Sequence, residues 1–118
     1  MLVLICGDHN WTDHAAVERE IITHGLDPIR DVIMHGGAKG ADTISGEVAT
    51  KHGFKVEAIK ANWGLYGKAA GPIRNKWMLD RNPDLVLAFH TNIEQSKGTK
   101  NMVKIAREKG VEVEVFSK

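Results

Sequence analysis

A glycine-rich turn carries the clearest chemical signal in the sequence. Its residues of interest are Gly36, Gly37, Lys39, Gly40 and Asp42. Glycine lets a backbone approach a ligand closely, and free amides at the start of a helix attract an anion. The segment matches neither a dinucleotide-binding fingerprint nor a Walker loop. It therefore predicts a turn that binds phosphate or carboxylate, the alternative being a tight turn that needs glycine only for its dihedral angles.

A second group of residues opens a predicted helix. Gly71 and Pro72 are followed closely by Arg74 and Asn75. A basic side chain in the first turn of a helix opposes the macrodipole by ~0.3–1 kcal/mol, so an anionic ligand would explain its position. Arginine also suits bidentate binding of phosphate or carboxylate. The alternative is a solvated arginine paired with a nearby acid.

A third group, Gly98 and Thr99, stands immediately before another predicted helix. These residues either hold a second anionic group or, in the case of Thr99, simply cap the helix. Basic side chains accompany all three groups and predict a local cationic pocket on a near-neutral protein. They are Lys39, Lys60, Lys68, Arg74, Lys97 and Lys100.

Histidine and cysteine offer less specific chemistry. His9, His35 and His90 each follow a predicted strand, but the chain lacks local spacings such as H-E-x-x-H. We therefore predict no metal site, and no cofactor is implied. Cys6 ends a buried strand, where it is most simply a core residue.

These groups lie between apolar runs and helical stretches that alternate along the chain. Short apolar runs predict strands at residues 2–6, 32–35, 54–59 and 85–89, and alternating valines predict an edge strand at residues 111–115. Helical spacing predicts helices at residues 14–25, 41–52, 72–81 and 99–109. Residues 60–71 show no periodicity and are predicted to be irregular.

The alternating order predicts an α/β fold with a mostly parallel five-stranded sheet and helices on both faces. Ligands of such sheets bind beyond the carboxyl ends of the strands, where the strand order reverses. All three groups, together with Gly7 and His9 after the first strand, are expected at that edge.

Length and composition narrow the classes of protein. The chain has 118 residues, and we expect residues 1–118 to form one domain. A formal charge of +1 gives the protein no overall electrostatic attraction to nucleic acid or to a membrane. A single cysteine excludes an internal disulfide framework. With no apolar run of about 18 residues and no signal peptide, a cytoplasmic protein without membrane contact is expected.

The order and spacing of four blocks resemble the SLOG superfamily, specifically its YspA or cpYpsA-related branch. The blocks are residues 36–42, 70–78, 85–89 and 96–99. The resemblance implies a Rossmann-like, three-layer α/β/α sandwich, encoded by a bacterium or a phage. It also implies a domain that binds or senses a nucleotide or a nucleotide-derived small molecule. This branch usually has a basic residue where the present chain has His9.

The Lonely Guy phosphoribohydrolases are similar proteins that split the N-glycosidic bond of nucleoside 5′-monophosphates. The resemblance places their arginine at Arg74, but their glutamate position holds Met102. Cleaving this bond needs a carboxylate that stabilises the oxocarbenium-like transition state or activates water. Glu94 and Asp42 are the candidate substitutes, so Arg74 and Glu94 are the candidate catalytic residues.

Three functions remain open from the sequence. The first is binding of a nucleotide-like small molecule, with phosphate at the amides of Gly36, Gly37, Gly98 and Thr99. Asp42 would then orient a sugar hydroxyl or cap its helix. The second is nucleoside 5′-monophosphate N-glycosidase activity. The third is single-stranded nucleic-acid binding, which the charge of +1 disfavours.

We also expect a homodimer. Lonely Guy proteins pair through helices, and a chain of this size leaves much helical surface for a partner. The helix that carries Ile73, Trp77 and Met78 is the expected shared face.

Overall fold

The computed structural model describes residues 1–117. Within them the strands are β1 (Leu2–Gly7), β2 (Val32–His35), β3 (Lys55–Ala58), β4 (Leu85–Phe89) and β5 (Glu112–Phe116). The helices are α1 (His14–Thr23), α2 (Ala41–Lys51), α3 (Trp63–Tyr66), α4 (Ala70–Asp80) and α5 (Gly98–Glu108). None of the helices in residues 1–117 combines the length and apolar character that a membrane crossing requires.

The five strands form one sheet in the order β3-β2-β1-β4-β5, and every neighbouring pair is parallel. The chain begins at the central strand, builds one half of the sheet, and then crosses over to build the other. The strand order therefore reverses between β1 and β4. Gly7 lies opposite Phe89 in the register, so these two strands end together at the switch point, where ligands of such sheets bind.

Helices cover both faces of the sheet, which confirms the predicted three-layer sandwich. Side chains of β1 alternate between the faces because successive residues of a strand point to opposite sides. Val3 and Ile5 pack in the core beneath α1 and α2. Leu4 and Cys6 pack in the core beneath α4 and α5.

Residues 60–71 differ from the expectation of an irregular segment. Helix α3 and a 3₁₀ turn (Gly67–Ala69) occupy most of it, and α4 begins at Ala70. The Asn62 side chain starts α3 by accepting the Leu65 amide proton at 3.0 Å. Arg74 consequently lies in the second turn of α4, so the macrodipole argument for its position is wrong.

Candidate functional site

A cavity of about 250 Å³ opens at the carboxyl ends of β1 and β4. It lies between the β1–α1 loop, α2, α4 and the start of α5, at the predicted edge of the sheet. It gathers seven of the expected binding residues, namely Gly7, His9, Asp42, Arg74, Asn75, Gly98 and Thr99. Met102 lines it as well.

Arg74 is held in place from two sides. Its Nη1 donates to the Gly36 carbonyl at 2.6 Å, and its Nε donates to Asn75 Oδ1 at 3.1 Å. A Cβ at position 36 would lie 2.4 Å from Arg74 Nη1, so Gly36 makes room for the guanidinium. An arginine has five N–H groups, and the other three have no partner among the described residues. Arg74 is thus a fixed cation with donors left for an anion.

Asp42 organises the glycine-rich turn from within the protein. The carboxyl is buried, and its Oδ2 accepts the amide protons of Gly36 at 3.1 Å and Ala38 at 3.2 Å. Burial raises the pKa of Asp42 to about 6, against the opposing effect of these two amides and of the Arg74 charge. A carboxyl with this pKa is half-protonated at about pH 6 and mostly ionised at pH 7.

The amides of Gly36 and Gly37, which were expected to bind phosphate, are engaged within the protein. The Gly36 amide donates to Asp42, and the Gly37 amide donates to His35 Nδ1 at 2.9 Å. Both amides therefore already have acceptors within the protein. Gly37 has a φ of +71°, a left-handed conformation that favours glycine, so the backbone angle alone explains a glycine at this position.

Several expected residues lie outside the cavity lining. Gly40 has a φ of +78°, and a Cβ there would lie 2.2 Å from the Asp8 carbonyl oxygen, so it permits close approach to the β1–α1 loop. Gly71 faces the Trp63 ring, which a Cβ would meet at 3.5 Å. Lys39 is exposed. Gly40 and Gly71 therefore support the fold around the site, and Lys39 lies on the surface outside the cavity lining.

The structure also places the expected catalytic carboxylate outside the cavity. The Glu94 side chain is 77% exposed and pairs with Lys100 at 3.0 Å. Met102 is buried and lines the cavity at the position of the Lonely Guy glutamate. Neither residue can supply a carboxylate to a ligand in this geometry.

Asn75 joins α4 to the start of α5. Its Nδ2 donates to the Gly98 carbonyl at 3.2 Å and to Asn101 Oδ1 at 3.0 Å. Its Oδ1 accepts from Arg74, so all of its polar atoms are engaged. Asn75 is therefore a positioning residue that holds Arg74 and Gly98 on one wall of the cavity.

The first turn of α5 offers amides that have no acceptor in the protein. Ser96, one residue before the N-cap position of α5, accepts the Thr99 amide proton with its Oγ at 3.0 Å, and Thr99 does not cap the helix. No acceptor within residues 1–117 is paired with the amides of Gly98 and Lys100. A Cβ at Gly98 would meet no atom within 4 Å, so the space in front of it is open. Free amides at a helix start are a ready anion site.

The predicted cationic pocket is smaller than expected. Arg74 and Lys97 line the cavity. The Lys60 side chain instead lies against Gly37, and Lys100 is paired with Glu94. Positive charge is thus concentrated on one wall, near the start of α5.

The histidines separate into two groups. His9 and His90 line the cavity, whereas His35 faces α2, with its Nε2 2.8 Å from where a Gly46 Cβ would lie. Burial lowers the pKa of His35, helped by the charges of Arg74 and Lys60. Across residues 1–117, no three His, Cys, Asp or Glu side chains come together as a metal site.

Sequence reasoning missed Asp8 as a site residue and weighed His90 only as a metal ligand. Asp8 and His90 follow the adjacent strands β1 and β4 and line the same cavity. Their side chains are 17% and 14% exposed, with His90 Nε2 3.9 Å from Asp8 Oδ2. The sequence signal that could have identified them is their position directly after two apolar runs.

Cys6 also lines the cavity, and burial raises the pKa of its thiol, which keeps it protonated.

The comparison with known families decides the classification. The model of the YspA, cpYpsA-related SLOG family matches residues 1–66. The chain belongs to this SLOG family. It is also 35% identical over 117 residues to the Gene 61 protein of Mycobacterium phage D29, covering 94% of this chain and 92% of that protein.

A solved structure supports the fold of this SLOG chain. DNA processing protein A (DprA) from Streptococcus pneumoniae matches with a TM-score of 0.73 and 21% sequence identity. The match covers 96% of this chain but 49% of the DprA chain, so the SLOG chain spans about half the length of that protein. At 21% identity, the match establishes that the two proteins share a fold.

The lining of this SLOG cavity combines both signs of charge. Arg74, Lys97 and the Gly98 amide offer hydrogen-bond donors and positive charge. The carboxyl groups of Asp8 and Asp42 line the same cavity, and the Asp42 carboxyl lies close to the Arg74 guanidinium. Such a cavity suits a ligand with an anionic end and a hydroxyl-bearing end.

Proposed function

We propose that this SLOG protein binds a small phosphate-bearing ligand of the nucleotide type in the cavity at the β1–β4 switch point. The observation that carries the proposal is the anchoring of Arg74 by the Gly36 carbonyl and by Asn75, which leaves three N–H groups for an anion. Charge-assisted hydrogen bonds of this kind are about twice as strong as neutral ones. The free Gly98 amide supplies a second donor beside it.

The size of the cavity supports a particular placement of the ligand. A volume of about 250 Å³ is below the ~300–1,000 Å³ of sites that enclose drug-sized molecules. It suits a pentose phosphate, with the base at the mouth of the cavity near the exposed His9. The number of phosphates is then limited by the space beyond Arg74 and Gly98.

The residues that line the cavity favour binding of the ligand without its hydrolysis. Met102 takes the place of the Lonely Guy glutamate, and Glu94 faces solvent beside Lys100. The protein would then act as a binding domain or ligand sensor. We propose that residues 1–118 act as one unit, in the cytoplasm of a bacterium or a phage-infected host, as the mycobacteriophage relative suggests.

N-glycosidase activity is a second candidate because one buried carboxyl does line the cavity. Burial raises the pKa of Asp42 to about 6, a value suited to proton transfer near neutral pH. Release of free base from nucleoside 5′-monophosphates, abolished by Asp42→Asn, would favour this candidate over simple binding.

An exposed aromatic patch on α3 and α4 could bind one of two partners, a second copy of the chain or single-stranded nucleic acid. Trp63 and Leu65 are 61% and 67% exposed, and the Tyr66 ring lies 5.9 Å from that of Trp77. We propose that this patch pairs two copies of the chain, as Ile73 and Trp77 led us to expect. Met78 is buried in the core and takes no part, which corrects that expectation.

Stacking of single-stranded nucleic acid on the same patch is the alternative. Aromatic platforms bind such strands when a cationic groove accompanies them. The DprA match is to a DNA processing protein, whereas the present chain carries a net charge of only +1. Oligonucleotide binding that weakens steeply with salt would support this alternative.

Calorimetric titration of the chain with AMP and with adenosine tests the proposed function. We expect AMP to bind more tightly, since only AMP carries the phosphate. Arg74→Ala should weaken AMP binding by roughly 1.5–3 kcal/mol, the value of a charged hydrogen bond, and should leave adenosine binding unchanged. Arg19→Ala, which removes an exposed arginine of α1, is the matched control. Equal affinities for AMP and adenosine would refute the phosphate-centred site.

A further inference from the structure

Asp8 and His90 stand on either side of a short gap in the cavity wall. His90 Nδ1 accepts the Asn92 amide proton at 3.0 Å, so the neutral ring carries its proton on Nε2. That Nε2 lies 3.9 Å from Asp8 Oδ2, which is too far for a direct hydrogen bond. The donor and the acceptor face each other without being joined.

The carboxyl of Asp8 is itself held in position. Its Oδ1 accepts the Asn10 amide proton at 2.9 Å, and its Oδ2 accepts from Thr91 Oγ1 only at the long distance of 3.5 Å. A carboxylate has about four acceptor positions, so Oδ2 keeps capacity for a further donor. Both groups are therefore held by loop backbone, and His90 Nε2 and Asp8 Oδ2 can each take a further partner from the cavity.

A hydroxyl group fits this gap. An oxygen about 2.8 Å from both His90 Nε2 and Asp8 Oδ2 spans 3.9 Å with an angle of roughly 90° at the oxygen. It would accept the imidazole proton and donate its own proton to the carboxylate, which is the pairing that an alcohol can make. An ammonium has no acceptor for the imidazole proton, and a phosphate would face the negative Asp8.

We propose that Asp8 and His90 form a hydroxyl-recognition site that selects the sugar of the ligand, so that the protein prefers a ribonucleotide to a deoxyribonucleotide. The inference rests on the proposed function, because Arg74 and Gly98 in the same cavity hold the phosphate of that ligand. A polar pair built for a hydroxyl discriminates against an analogue that lacks it, since donor and acceptor are then left unpaired.

Calorimetric titration with AMP, 2′-deoxy-AMP and 3′-deoxy-AMP tests the site. We expect the wild-type chain to bind at least one deoxy analogue about 10- to 100-fold more weakly than AMP. Asp8→Ala and His90→Gln should each bring that ratio close to one. Arg74→Ala should weaken all three ligands by a similar factor and keep the ratio. His14→Ala, which removes an exposed imidazole that does not line the cavity, should change neither quantity.

The possible failures are distinguishable. Equal wild-type affinities for all three ligands, with binding still dependent on Arg74, would overturn the hydroxyl site and leave the phosphate site standing. Discrimination that persists in both Asp8→Ala and His90→Gln would also overturn it. If the wild-type chain bound none of the three, the proposed function and this inference would both fall. The wild-type comparison needs no variant, so it holds even if one substitution prevents folding.

Discussion

The buried carboxyl of Asp42 makes the stability of the protein depend on pH in a defined direction. In the folded chain the pKa rises from 3.8 to about 6, mainly because burial disfavours the ionised form. At about 1.4 kcal/mol for each pH unit, this displacement costs the ionised folded state about 3 kcal/mol. Well below pH 4 the carboxyl is protonated in both states, and well above pH 6 it is ionised in both. The cost is therefore absent at low pH and complete near pH 7.

Urea denaturation of the wild-type chain and of Asp42→Asn, measured between pH 4 and pH 8, checks this prediction. We expect the free energy of unfolding of the wild-type chain, relative to the variant, to fall by about 2 kcal/mol from pH 4 to pH 7, because the unfolded carboxyl is already partly ionised at pH 4. The other titrating groups contribute equally to both chains, so they cancel when the two free energies of unfolding are subtracted. Weaker hydrogen bonds in the variant would shift this difference by the same amount at every pH. A difference that does not change with pH would refute the assignment of a desolvated carboxyl.

Asp31→Asn provides a control of opposite sign. The Asp27 amide and the N-terminal amine hold the pKa of Asp31 below its usual value, although burial opposes them. The contribution of Asp31 is therefore present above its unfolded pKa and is lost as the pH falls through its folded pKa. Relative to Asp31→Asn, the wild-type chain should gain stability as the pH rises, in contrast to the Asp42 pair.

Three further results are expected. Gly98→Ala should keep its free energy of unfolding, because an added methyl meets no protein atom within 4 Å. It should bind AMP more weakly in calorimetry, because the methyl would occupy space beside the amide that we propose holds the phosphate. Gly40→Ala should instead have a lower free energy of unfolding in urea, since its Cβ would lie 2.2 Å from a backbone oxygen. Equal stability of Gly98→Ala and Gly40→Ala would contradict these two expectations. Chromatography should detect no appreciable base release from AMP, CMP, GMP or UMP, and Met102→Glu should gain it if only the carboxylate is missing; rapid release by the wild-type chain would contradict this. Light scattering at high micromolar concentration should report a homodimer that Trp77→Ala weakens, and a monomeric wild-type chain would refute the proposed pairing.

The sheet was predictable because its strands are short apolar runs bounded by turn residues. Residues 85–89 are buried throughout in β4, and the alternation at residues 111–115 marks the edge strand β5. A parallel sheet buried on both faces leaves this pattern in sequence. The switch-point position of the cavity then follows from general topology.

Helix α3 was not predictable from periodicity. It is a single turn with exposed aromatic side chains, and it buries no apolar stripe that a pattern would reveal. Its formation depends on the local cap from Asn62. Because α3 and the following 3₁₀ turn lead directly into α4, they also displace Arg74 from the first turn of that helix.

The site was predictable in location but not in the use of its hydrogen bonds. Sequence alone could not show that Asp42 takes the Gly36 amide, or that Glu94 turns outward to Lys100. The pairing of Asp8 with His90 depends on β1 lying beside β4, a neighbour relation between distant parts of the chain. Such contacts arise from tertiary structure and leave no local spacing to read.

A crystal structure of the chain with AMP bound tests the central claim most directly. We expect the phosphate in the cavity at the β1–β4 switch point, within hydrogen-bond distance of the Arg74 guanidinium and of the Gly98 amide. A phosphate bound to the Gly36 and Gly37 turn, or to a surface outside this cavity, would contradict the account.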